Sequence, residues 1–271
     1  MLSVLKVGGS VLRDDASYAR TAAFLQRRLD ANPDERLVVI VSAQYGTTDV
    51  LLGEARAIAG DPDNHALDLL WSTGELRSVA LLALHCQRIG LPALPFNVHQ
   101  TGLVAERHHG TAVTGITTTV RPLRLLAGLG SARLVIVPGF LGVSAGGTIT
   151  SLGRGGSDLT AVLLATAVRA NACELIKDVP GYFTADPHRD AGARQLHDLS
   201  IDEAIGMADA GCDLVQRAAL AAAATAGLHL VIRSMDAAAP VTHVHANSRK
   251  DRSKHHGIRH EDDSRRAAVR A

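Results

Sequence analysis

The chain has 271 residues, 46% hydrophobic and 20% charged, which gives length for a large core in one domain or two closely joined lobes. Its 28 Lys and Arg balance 27 Asp and Glu, so the total charge gives no sign of a nucleic-acid binder, and no apolar run is long enough to cross a bilayer. Cys86, Cys173 and Cys212 are widely spaced with no CxxC pair, which argues against a disulfide framework or a structural zinc site and fits a reducing cytoplasm.

Residues 2–7 form a short apolar run that stops at Gly8-Gly9-Ser10, too early for a signal peptide, and residues 16–29 carry apolar positions at helical spacing. The β-branched run 37–41 suits a strand buried on both faces of a parallel sheet. Polar residues 42–49 follow, then helices over 50–59 and 73–88. Residues 96–119 read as short strands and loops. A second buried strand at 133–138 leads into a glycine-rich hairpin over 139–150. A helix over 159–170, a strand over 173–178, helices over 201–210 and 214–226, and strands over 228–233 and 241–245 complete the body. Repeated strand–helix units predict an α/β fold with a mainly parallel sheet and helices on both faces. Residues 246–271 hold eight basic and four acidic residues without apolar periodicity, and read as a flexible basic tail after a 1–245 domain.

In such sheets ligands bind beyond the carboxyl ends of the strands. Gly8-Gly9-Ser10, residues 42–49, Gly139-Phe140 and Lys177-Asp178 all follow strands, and Lys6 sits just inside the first strand's end, where an ammonium meets phosphate oxygens. Leu152-Gly-Arg-Gly-Gly-Ser-Asp158 is a glycine loop feeding a helix N-terminus, a place for anions, although an ordinary glycine turn with a capping Ser or Asp has the same local spacing. Gly142-Val-Ser144-Ala-Gly146 matches a hydrolase nucleophile elbow but lacks the helix that should follow the serine. No P-loop or dinucleotide fingerprint is present. The pairs His108-His109, His243/His245 and His255-His256 lack Cys or carboxylate partners at ligand spacing and read as surface histidines, so no metal site is assigned.

Three segments in this order, Lys6-Val-Gly-Gly-Ser10, Leu152–Asp158 and Asp178-Val-Pro-Gly-Tyr-Phe-Thr-Ala-Asp-Pro187, resemble the amino acid kinase superfamily, and the last two resemble the catalytic domain of aspartokinase. The resemblance implies a three-layer αβα sandwich that phosphorylates the side-chain carboxylate of aspartate, or a closely related amino acid, with ATP and magnesium (Mg2+). It assigns the amino acid to Ser42, Thr48, Glu75, Phe140, Arg154 and Ser157, with Glu75 taking the ammonium and Arg154 and Ser157 the carboxylates. It makes Lys6 the phosphate-binding lysine, oriented by Asp158. The nucleotide falls to Gly8, Gly9, Ser10, Lys177, Asp178, Phe183, Asp186 and Pro187.

The sequence departs from the family pattern on the nucleotide side. Lys177 stands where Thr is usual, Phe183 where Tyr is usual, and His188 where Arg follows Asp-Pro. Asp213 occupies the place of a lysine set against the ATP phosphates, and would repel the charge that lysine neutralises. Lys177 is the compensating cation in our reading. A catalytically weak amino-acid-binding or regulatory homologue, and a kinase for another small carboxylate, are the alternatives. The family's regulatory domains have no counterpart in the sequence, so feedback through them is not expected, while family habit implies a homodimer.

Overall fold

The computed structural model describes residues 1–108, 115–153, 155–187, 189–236 and 238–246. Arg154, His188, His109, the His108 side chain and the tail from Asn247 onward, with His255-His256, lie outside the described residues. The chain begins with β1 (Leu2–Val7), α1 (Asp15–Ala31), β2 (Arg36–Val41), α2 (Thr47–Ala59), α3 (Asn64–Arg88) and β3 (Leu94–Pro95). It continues with β4 (Leu103–His108), β5 (Gly115–Val120), α4 (Leu123–Ser131), β6 (Leu134–Pro138), β7 (Leu141–Val143), β8 (Ile149–Ser151) and α5 (Gly156–Ala167). The last part holds β9 (Ala172–Ile176), β10 (Tyr182–Phe183), β11 (Gln195–Leu196), β12 (Asp198–Ser200), α6 (Ile201–Asp209), α7 (Arg217–Ala226), β13 (Leu230–Arg233) and β14 (Thr242–His245).

Eight strands form one sheet in the order β12-β14-β13-β9-β1-β2-β6-β3, parallel throughout except for the β13–β14 pair. Alternation along the strands sorts side chains into two cores. Val4, Val38, Ile40, Val135 and Val137 pack under α4, α5, α6 and α7, while Leu5, Val7, Val39, Leu134 and Ile136 pack under α1 and α3. Each fully buried side chain of this kind contributes about 1.5–3 kcal/mol. That demand on both faces is why Leu37–Val41 contains no polar residue. The expected three-layer αβα sandwich is the fold observed. A smaller sheet, β5-β4-β7-β8, packs on α3 and α5, and its β7–β8 hairpin is the glycine-rich one foreseen in the sequence.

Several elements differ from the expectation. Helix α3 starts nine residues early, at Asn64, because the Asp63 carboxylate accepts the His65 N–H at 2.7 Å and caps it there. Helix α4 was not expected, since Pro122, Gly128 and Gly130 mask its periodicity. Gly128 is required: a Cβ there would lie 2.7 Å from the Phe96 ring. Helix α7 begins at Arg217 rather than 214, and β10, β11 and β12 are short additions. His243 and His245 share a sheet face with His229, whose Nε2 lies 3.2 Å from His243 Nδ1, and His245 pairs with Asp198 at 2.7 Å. Among the described residues no group of three or more His, Cys, Asp or Glu is arranged to hold a metal ion, and no helix is long and apolar enough to cross a membrane.

The central strands are joined to α5 by a buried ion cluster. Lys6, paired in register with Ile40, faces the α5 layer, and its Nζ lies 2.9 Å from Asp158 Oδ1 in the first turn of that helix. Lys177, one residue past β9, places its Nζ 2.9 Å and 3.2 Å from the two oxygens of the same carboxylate. Removing one partner of a buried ion pair costs about 3–5 kcal/mol. Asp158→Asn is therefore expected to lower the unfolding free energy by about that much, with a smaller loss at pH 9 than at pH 6 because Lys177 can shed its proton; urea titration at both pH values checks it.

Candidate active site

Strands β1, β2, β6 and β9 end at one edge of the large sheet, and their register aligns those ends: Val7 pairs with Val41 and Ile176, and Val41 with Pro138. Gly8, Ser42, Gly139 and Lys177 therefore leave the sheet side by side. The glycines permit this crowding. A Cβ on Gly9 would come within 2.9 Å of the Ala43 carbonyl, and one on Gly139 within 2.7 Å of Ser157 Cβ. Gly8 lines neither cavity described below, but its Cα faces Lys6, whose Nζ would lie 3.1 Å from an added Cβ. Phe140 then turns with φ of +67°, a left-handed conformation for a residue with a side chain, held by its N–H donating to Thr160 Oγ1 at 3.1 Å.

Two cavities open at this edge. The first, of about 440 Å³, is lined by the predicted Ser42, Thr48, Glu75, Phe140 and Ser157, and also by Lys6, Gly9 and Ser10. Arg154 lies outside the described residues. The second, of about 680 Å³, is lined by Lys177, Asp178, Phe183, Asp186 and Pro187, again with Ser10. Ser10 thus belongs to both walls, and its hydroxyl donates to Asp178 Oδ1 at 3.1 Å. The described residues expected to hold the amino acid line the first space, and of those expected to hold the nucleotide, Lys177, Asp178, Phe183, Asp186 and Pro187 line the second, whereas Gly9 lines the first. Asp158 lines neither, since it lies beneath them between the two lysines.

The charges are arranged with a surplus of positive sign. Burial opposes ionisation of Asp158, but Lys177 and Lys6 outweigh it and hold the carboxyl well below the usual carboxylate range. Burial pulls the Lys177 ammonium down to about 8, with Asp158 opposing and Lys6 adding to the shift. Two ammoniums on one carboxylate leave a cation over, at the place where Gly8, Gly9 and Ser10 turn. Glu75 is the opposite case. It is buried on α3, one of its oxygens has no hydrogen-bond partner, and burial raises its pKa to about 8 against the opposing Ala43 backbone hydrogen bond and Lys6. A buried carboxyl in that state is suited to a cationic ligand group.

Other contributors were not read from the sequence. Trp71 and Tyr45 line the first cavity, and Tyr182 and Cys212 the second. Arg13 sits across the seam, its guanidinium 4.9 Å from the Tyr45 ring centre and 3.7 Å from Asp178. Trp71 alone had a usable signal, lying four residues before Glu75 and so on the same helix face. Asp213, on the wall of the second cavity, is exposed.

Comparison with known proteins agrees with this geometry. The aspartokinase of Geobacillus stearothermophilus is 40% identical over 199 residues, 73% of this chain and 48% of that protein. The Thermus thermophilus aspartokinase is 36% identical over 233 residues, covering 86% and 56%. The chain spans about half the length of the curated relatives it matches. Among solved structures, aspartate kinase from Synechocystis superposes with a TM-score of 0.78 at 34% identity, over 91% of this chain and 40% of that one. Escherichia coli aspartokinase III in complex with aspartate and ADP gives a TM-score of 0.75 at 25% identity, over 92% and 65%. The amino acid kinase family profile matches residues 1–234, and with the sandwich and the paired cavities it places this chain in the amino acid kinase family.

Proposed function

We propose that the chain transfers the γ-phosphoryl group of ATP to the side-chain carboxylate of aspartate, giving an acyl phosphate. The observation that carries this reading is Glu75: a buried carboxyl with an unpartnered oxygen, in a cavity that also presents Lys6 and Ser157. A zwitterion with an extra carboxylate needs an anion and cations at separate points, and this cavity supplies both. The similarity to aspartokinases, one of them solved with aspartate and ADP, supports the same choice. We further infer a cytoplasmic setting, in keeping with three unpaired cysteines.

The acceptor carboxylate is ionised at neutral pH, so no general base is needed. Catalysis is then positioning and charge neutralisation. Glu75 holds the ammonium. Ser157 and the N-terminal turn of α5 hold carboxylate oxygens, and the family resemblance adds Arg154 to them. Lys6 meets the transferring phosphoryl group, held in place by its pairing with Asp158. Lys177, buried beside Lys6, supplies the second cation that position 213 lacks. Asp178, on the second cavity's wall, would offer magnesium an oxygen donor, and the ion bound with the triphosphate would neutralise phosphate charge.

The decisive assay incubates the protein with ATP, magnesium, hydroxylamine and a panel of amino acids; aspartyl hydroxamate is the expected product. Aspartate binding without any hydroxamate would favour an amino-acid-binding homologue instead. Lys177→Ala keeps the Lys6–Asp158 pair and is expected to reduce kcat/KM for ATP about 100-fold, whereas Asp213→Lys should improve it. Unchanged ATP turnover in Lys177→Ala would remove the compensating role. Glu75 gives a pH prediction with a definite sign. Its carboxyl, raised to about 8, is largely protonated at pH 7, so docking an ammonium should drive a proton off. Aspartate affinity should rise from pH 6 to 8 with proton release measurable by calorimetry in buffers of different ionisation enthalpy, and Glu75→Gln should abolish both.

A further inference from the structure

Trp71 is the single tryptophan of the chain. It lies on α3 one turn before Glu75, and its ring lines the first cavity. Three contacts fix it there. Its indole N–H donates to the Thr48 carbonyl at 3.2 Å, its ring meets Phe140 edge to face at 5.6 Å, and its helix is pressed against α2, where a Cβ on Gly74 would come within 3.0 Å of Thr47. The ring cannot swing aside without breaking a hydrogen bond and an aromatic contact. Because the N–H is already engaged, the face it offers the cavity is apolar.

We propose that Trp71 is the specificity-determining wall of the acceptor site, limiting the acceptor to a four-carbon dicarboxylate. The inference rests on the aspartate reading above and adds the reason that longer homologues are refused. Trp71 lies one turn before Glu75 on the same face of α3 and lines the same cavity, so an acceptor anchored by its ammonium at Glu75 sits beside the ring. An additional methylene pushes either the chain or its carboxylate against an apolar surface that gives no hydrogen bond. One methylene in a packed pocket is worth about 10–200-fold in discrimination.

The test compares aspartate and glutamate as acceptors in the hydroxamate assay. Trp71→Leu should raise the glutamate-to-aspartate ratio of kcat/KM about 10-fold or more, while Trp71→Phe, which keeps a ring, should stay near the wild-type ratio. A folded, active Trp71→Leu protein with an unchanged ratio overturns the assignment and leaves the proposed reaction standing. Wild-type protein that forms no hydroxamate with any acceptor counts against the reaction. In that event, or if Trp71→Leu does not fold, the tryptophan emission of the wild-type protein still decides. A saturable change with aspartate and none with glutamate supports the wall; equal responses to both, or no response to a bound aspartate, overturn it.

Discussion

One carboxylate holds this site together. Asp158 is buried at the start of α5 and is shared by an ammonium from β1 and another from the end of β9. Isolated charges are very costly to bury, and a pair is tolerated only with good geometry and further hydrogen bonds. A three-membered cluster with two positive partners goes further, because one carboxylate is shared by two ammoniums. Lys177 bears the strain, its proton held less firmly than in water. The fold accepts an arrangement that is incomplete in the protein alone and suited to an incoming anion.

The parallel sheet makes that cluster possible. Strands β1, β2, β6 and β9 run in the same direction in aligned register, so four loops leave at one edge, and glycines at positions 9 and 139 let backbone and side chains approach where a methyl group would collide. Ser10 is the shared post between the two cavities. Under the proposed reaction, the acceptor carboxylate on one side and a triphosphate on the other would bring the reacting oxygens together without any group that itself makes or breaks a covalent bond.

Much of this was legible in the sequence for a simple reason. Strands buried on both faces must be apolar at every position, so Leu37–Val41 and the run around 134–138 announce themselves, and the glycine motifs at their ends mark where the backbone has to come close. Helix α4 was hidden because its glycines serve packing against Phe96 rather than helix propensity. The start of α3 was hidden because capping by Asp63 is a local event in a polar stretch. Glu75 and Ser157 were reached through motif resemblance, and the structure adds the physical reason for Glu75, its unpartnered oxygen. Trp71, Tyr45 and Arg13 belong to no motif. The placement of Tyr45 and Arg13 depends on how the loop after β2 and the loop after β1 meet, which no local pattern encodes, whereas the four-residue spacing of Trp71 from Glu75 was lost because the expected helix began only at residue 73.

The turn at Phe140 carries a consequence for anyone who would make this protein sturdier. A residue with a Cβ in the left-handed region costs on the order of 1 kcal/mol or more, and glycine relieves it. By backbone criteria alone position 140 is an obvious improvement to make. Yet its ring is what Trp71 leans on, and glycine there would leave the indole without its edge-to-face neighbour. Stability and fidelity therefore pull in opposite directions at this one residue, and thermal engineering of the scaffold is better directed to the far edges of the sheet, where a gain in ΔG leaves the ligand cavities untouched.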